Sequence, residues 1–348
     1  MCSSDLAAIQ RVDSANKLTS ITGAGQIGEI NGDGGSAENA RFAAPSGLAV
    51  DRQGNVFVSD ERGHRVRKIT PGGVITTIAG TGVAGYSGDG GAAARAALNG
   101  PRGISIDRFG NLYIADSGNH AVRRISPSGT MATVAGNGFK GARGDGGPAS
   151  AAQLDNPSGV AVGTLDDLFI ADSGNHRIRR ISGAGLIATY AGTGGAGFAY
   201  DGSAAVFAQL SDPRGVAMDA TGNLYIADTG NNRVRRVDTA GVISTLGDAD
   251  FSFPRGVAAG ADGSVYVADT GKHRICKITG STVTKIAGGE AGFDGDGMSG
   301  DEARFQFPSA VATDRDENIL VADTGNYRVR KLTKFALVVG ILRGSVRT

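Results

Sequence analysis

One phrase recurs six times along this chain: P-x-G-Φ-x-Φ-D-x-x-G-N-Φ-Φ-Φ-A-D-x-G-N-x-R-Φ-R-R-Φ, where Φ is apolar. Its prolines are Pro45, Pro101, Pro157, Pro213, Pro254 and Pro308, and its second aspartates are Asp60, Asp116, Asp172, Asp228, Asp269 and Asp323. Those aspartates are spaced by 56, 56, 56, 41 and 54 residues. A unit of this size cannot bury its own apolar face, so it must stack on its neighbours. The repeat therefore constrains the fold far more than the function.

Each unit reads as four strands. In the second copy residues 103–107 form a short first strand, followed by a turn at Arg108-Phe109-Gly110-Asn111 with glycine where a positive φ is needed. Leu112 to Ala115 is a continuous apolar run, which predicts a second strand buried on both faces. Val122 to Ile125 and Thr130 to Ala135 supply the third and fourth strands. Four strands per unit, covered on both faces and joined without a crossover helix, describe a β-propeller blade. The fold class is all-β, a six-bladed propeller of four-stranded antiparallel blades.

The stretches Ala115-Asp116-Ser117-Gly118-Asn119-His120, Ala171-Asp172-Ser173-Gly174-Asn175-His176-Arg177 and Ala227-Asp228-Thr229-Gly230-Asn231-Asn232-Arg233 resemble the NHL repeat family. The resemblance runs over about residues 9 to 333 and implies a six-bladed propeller in a bacterial NHL repeat-containing protein. WD40 repeats fit poorly, since the chain has no tryptophan.

The chain opens partway through a blade, because residues 9–23 align with residues 122–136. The expectation is that Lys17–Thr22 docks as the fourth strand of the last blade and closes the ring, removing its edges. The apolar run Phe335 to Leu342 competes for that slot. The expected organisation is a non-native or disordered segment at 1–8, the propeller at 9–334, and a tail or extra strand at 335–348. Met1-Cys2-Ser3-Ser4-Asp5-Leu6 fits no repeat position and reads as translated sequencing adapter, which would make Cys2 non-native.

Composition excludes several classes. A net charge of +1 gives no global pull toward nucleic acid or membrane, and no apolar run approaches the roughly 20 residues that span a bilayer. The two cysteines form no disulfide framework. An extracytoplasmic location (periplasmic, secreted or cell surface) is the favoured expectation.

The repeated charges have scaffold readings and chemical ones. Asp60 and Arg65, Asp172 and Arg177, Asp228 and Arg233, Asp269 and Arg274, and Asp323 and Arg328 face each other across a tight hairpin, with Ala121 breaking the set in the second copy. A charge-assisted pair there would fix the register. His64, His120, His176 and His273 share one repeat position. They could ring a metal, but equivalent positions of six blades stand too far apart for one zinc unless they line the axis. A peptidylamidoglycolate lyase of NHL type holds zinc with channel histidines, but no histidine here leaves the repeat register.

The basic third strands could suit nucleic acid, and some NHL domains bind single-stranded RNA. With near-zero net charge and few aromatic platforms, nucleic acid is not the expected partner. The long loops carry Gly-Asp-Gly turns at Asp33, Asp89, Asp145 and Asp296, and a related one at Asp201. These read as N-capped helical turns. The sharper alternative is calcium, with Asp294, Asp296 and Asp301 the crowded carboxylates.

Connectivity places the long loops and histidine loops on one rim, the default interaction face. The passage from the fourth to the fifth blade (Gly247 to Phe253) is shorter than its equals and leaves a notch. Departures from the repeat there nominate Glu61, Arg62, Lys272 and Tyr327, and loop-tip aromatics add Tyr86, Phe139, Phe198 and Phe293. The first strands nearest the axis bring Leu48, Ile104, Val160, Val216 and Val257, with no Glu or His. The reading is a non-catalytic, monomeric module binding a protein or small-molecule ligand, with no cofactor. The alternative is a metal-dependent lyase or lactonase-like hydrolase on the same scaffold, using Ca or Zn.

Overall fold

Each copy of the phrase folds into one four-stranded antiparallel sheet, six in all, in the computed structural model, which describes residues 17–24, 31–247 and 250–333. Blade 3 is typical: Pro157–Val162, Leu168–Asp172, Arg177–Ile181 and Ile187–Ala191, paired in that order. Proline opens each first strand, opposite the closing aspartate of the second (Pro157 against Asp172), a position where its missing N–H costs nothing. The glycine two residues on has a separate reason. A Cβ on Gly103 would stand 2.6 Å from the Ser158 carbonyl oxygen of the next blade, so adjacent first strands can approach this closely only without a side chain.

The second strand of blade 3 is buried at all five positions, as its unbroken apolar run predicts. The core lies between blades rather than within them. Six clusters fill the six junctions: Ala171 and Ile178 of blade 3 meet Leu224 and Ile226 of blade 4, and Leu48 and Val58 of blade 1 meet Leu320 and Ala322 of blade 6. That last junction makes the array a closed ring.

Closure uses the N-terminal strand. Lys17–Thr22 pairs with Arg328–Thr333 and completes blade 6. Leu18 sits opposite Leu332, wholly buried, which contributes roughly 2 kcal/mol toward holding the ring shut. The competing run at 335–342, like residues 1–8, lies outside the described residues.

The third strand departs from expectation. Among the described residues the five-apart pair forms in blade 5 alone, between Arg274 and Asp269 at 2.6 Å. In blades 2, 3, 4 and 6 the aspartate takes the arginine seven residues on: Asp116–Arg123 and Asp172–Arg179 at 3.3 Å, Asp228–Arg235 at 3.2 Å, Asp323–Arg330 at 3.4 Å. Arg177 stands directly opposite Asp172 but reaches outward to the Thr193 carbonyl at 2.9 Å. Arg179, two residues inward on the same face, is enclosed.

Arg67, Arg123, Arg179, Arg235 and Arg330 are the largest fully buried side chains among the described residues. A desolvated guanidinium is costly unless its charge is matched by carboxylates. The loops provide a carboxylate to each, the second one except at Arg67, where it is the only ion pair among the described residues: Asp33 to Arg67 and Asp89 to Arg123 at 2.6 Å, Asp145 to Arg179 at 2.5 Å, Asp296 to Arg330 at 2.8 Å, and Asp201 to Arg235. The helical turns exist as short 3-10 turns such as Ala93–Arg95, but none is capped by that aspartate. Its oxygens are already committed to arginine and to a fourth-strand hydroxyl, as when Asp145 accepts from Thr189 Oγ1 at 2.7 Å and Asp296 from Ser20 Oγ.

Candidate functional site

The four histidines hold neighbouring blades together. Each sits at positive φ, and His120, His176 and His273 end a 3-10 turn. Its Nδ1 accepts a backbone N–H just before the next blade: Gly100 to His64 at 3.1 Å, Asn156 to His120 at 3.2 Å, Asp212 to His176 at 3.0 Å, Phe307 to His273 at 3.1 Å. In blade 4 Asn232 Oδ1 accepts the same bond from Phe253 at 2.8 Å, which explains why asparagine can replace histidine. Tyr327 of blade 6 lies at the equivalent positive φ, and the matching Ala44 N–H turns to Asp60 instead, at 2.6 Å. These bonds also put the histidine loops and long loops on one rim.

Several rim candidates serve the scaffold. Tyr86 lies against Arg123, its centroid 5.0 Å from the guanidinium carbon, and its hydroxyl bonds Thr133 Oγ1 at 3.1 Å. Phe198 stacks on Arg233 at 3.9 Å and Arg235 at 4.8 Å, and Phe293 on Arg328 at 4.0 Å and Arg330 at 5.1 Å. These rings are lids over the buried arginines. Lys272 binds Asp250 at 2.5 Å across the shortened passage. Arg62 is exposed, and Phe139 is 71 % exposed.

The crowded aspartates do not converge. Asp296 is bound by Arg330, Asp301 lies 4.0 Å from Lys285, and Asp294 caps its own loop through the Gly295 N–H at 2.8 Å. Among the described residues no three His, Cys, Asp or Glu side chains come together as a metal-binding group.

Glu61 leads to a feature the sequence reading missed. First-strand residues of all six blades line an axial cavity of about 100 Å³. Its apolar lining includes Leu48, Ile104, Val160, Val216 and Val257, as expected, but its rim end is not apolar. The residue after each blade's proline stands there: Ser46, Arg102, Ser158, Arg214, Arg255 and Ser309. Arg102 Nε donates to Glu61 at 3.0 Å, and Arg214 Nε to Asp212 at 2.8 Å. Arg255 has no ion pair among the described residues, and its Nε is buried without a hydrogen-bond partner. The signal was present in the variable residue of P-x-G, which reads Arg three times and Ser three times.

The electrostatics separate scaffold from mouth. Burial pushes Asp116, Asp172 and Asp323 up to about 6, against hydrogen bonds from backbone, Asn and Arg that pull them down. Partial burial opposes the shift at Asp33, Asp89 and Asp145, but bonds from threonine and the buried arginine hold them below the usual range. Burial raises the Cys276 thiol to about 11, so it is not a nucleophile near neutral pH. At the mouth, burial and the Arg214 charge lower Arg255, with Glu61 opposing them.

The teneurin NHL domain family matches residues 28–87, 82–143 and 195–251, and the NHL repeat matches 154–181, 251–278 and 305–332. Human Teneurin-4 is 30 % identical over 82 % of this chain, which spans 10 % of that protein's length. An auxiliary nutrient binding protein from Bacteroides thetaiotaomicron superposes at a TM-score of 0.64 with 16 % identity, covering 90 % of this chain and 75 % of its own. Virginiamycin B lyase from Staphylococcus aureus superposes at 0.55 with 16 % identity, covering 84 % and 95 %. Those likenesses extend the fold to proteins of different roles. With its blades matched along the chain and closed into a six-bladed ring, this is an NHL-repeat protein.

Proposed function

We propose that this chain is a non-catalytic binding module, acting as a monomer, that presents one rim of an NHL propeller to a protein or small ligand. The observation that carries it is the commitment of the repeated reactive groups. The histidines accept inter-blade N–H bonds, the hairpin aspartates and third-strand arginines neutralise one another, and the loop aspartates complete those pairs. Groups spent on holding blades together are not poised for proton transfer or metal ligation. The likeness to a nutrient binding protein is consistent with this role, and the likeness to a lyase marks the competing one.

The test is elemental analysis of protein purified without chelator, with melting measured with and without EDTA. The expected result is no stoichiometric zinc or calcium and an unchanged Tm. A stoichiometric metal together with chelator-sensitive turnover of a lactone overturns the reading.

A further inference from the structure

We propose that the rim end of the axial channel binds a small aliphatic monocarboxylate, held by Arg255 with Arg102 and Arg214 beside it. This rests on the binding-module reading and names the ligand class that one mouth of it takes.

The charges set the valence. Three guanidiniums meet two carboxylates, Glu61 and Asp212, leaving one positive charge uncompensated. That charge belongs to Arg255, half-buried and without an ion pair among the described residues; its Nε–H meets no protein acceptor, a feature it shares with six other arginines, so it is the three-to-two charge count at the mouth that singles it out. A buried donor without a partner is costly, and a bound oxygen relieves it. Both existing pairs use Nε alone, so Glu61 and Asp212 leave the terminal nitrogens of Arg102 and Arg214 unclaimed.

A planar guanidinium fork matches a carboxylate in two parallel bonds. One free cation matches a monoanion; an inorganic phosphate dianion would need a second. Beyond the arginines the wall turns apolar, with Ile104, Val216 and Val257 among its residues, so an alkyl chain is accepted and a sugar acid is not. A cavity of about 100 Å³ holds several waters and limits the acid to a few carbons.

Isothermal titration calorimetry of the full chain with sodium butanoate, neutral butanamide and inorganic phosphate tests this. Butanoate is expected to bind, butanamide not, and phosphate more weakly than butanoate. Arg255→Gln is expected to weaken butanoate by at least roughly tenfold with an unchanged Tm. Glu61→Gln, which releases Arg102 from its carboxylate, is expected to tighten it several-fold, and decides the matter if the Arg255 variant does not fold.

Absence of butanoate heat, equal binding of butanamide, tighter binding of phosphate, or unchanged affinity in the folded variants overturns the site. Proton NMR of the titrated sample separates the two proposals. Butanoate bound and recovered unchanged supports both, whereas its conversion keeps the site and overturns the non-catalytic reading.

Discussion

Blades 3 and 5 share the same strands and hairpins, yet they fill the centre of the third strand in opposite ways. Blade 3 buries Arg179 between Asp172 and the loop Asp145, with Thr189 holding the loop aspartate from the fourth strand. Blade 5 has Cys276 at the arginine position and Lys285 opposite it. The loop leading into blade 5 is the shortened one and carries no Gly-Asp-Gly turn. Arginine, loop aspartate and threonine are absent together. The lesson is that these three form one device, spanning 34 residues from aspartate to arginine in each blade that has it. Without it, Asp269 turns to Arg274, the pairing the hairpin alone would favour.

Exchanging the central residue should break the comparison most severely. Arg179→Cys leaves Asp172 buried without its cation and is expected to cost about 3–5 kcal/mol by urea denaturation. Cys276→Arg places a charge with no loop aspartate to receive it, and should cost a similar several kcal/mol. A loss under about 1 kcal/mol in both would show that the device is dispensable.

The next effect is smaller and sharpens the contrast. Arg274→Ala removes the charged partner of buried Asp269 and should cost about 2 kcal/mol. Arg177→Ala removes a bond to a loop carbonyl and should cost less than about 1 kcal/mol. Equal losses would mean that the hairpin pair matters alike in both blades.

The smallest effect is in pH. Asp116, Asp172 and Asp323 titrate near 6 when folded against 3.8 unfolded, so their contribution is complete below 3.8 and lost as pH rises through 6. The loop aspartates have the opposite sign: their folded values are lowered, so their contribution is present above 3.8 and lost as pH falls. Tm should peak at about pH 4 and decline as pH rises through about 6, falling by roughly 2 °C or more by pH 8. A Tm rising steadily to pH 8 would contradict burial as the dominant influence on the hairpin aspartates.

Much of this was legible beforehand. The continuous apolar runs and the Gly-Asn turns marked the strands, and the orphan segment Lys17–Thr22 pointed to ring closure. The partner of each hairpin aspartate was not legible locally, because Arg177 and Arg179 share a face and only the loop above decides which is enclosed. The stacking of the aromatic loop residues was hidden for a related reason: Tyr86, Phe198 and Phe293 are exposed, as their loop positions suggest, but each also lies on an arginine more than 30 residues away. Phe139 occupies a different loop position and is 71 % exposed.

By itself, then, the sequence determined six blades, their strands and the way the ring shuts, since these follow from short-range periodicity and from the need to bury apolar faces. Only the tertiary structure decided which charges are spent and which are left over. Arg102, Arg214 and Arg255 belong to three different blades, and no local pattern brings them together. Closing the ring places the first strands of those blades around one axis, and there, among the described residues, Arg255 is left without an ion pair.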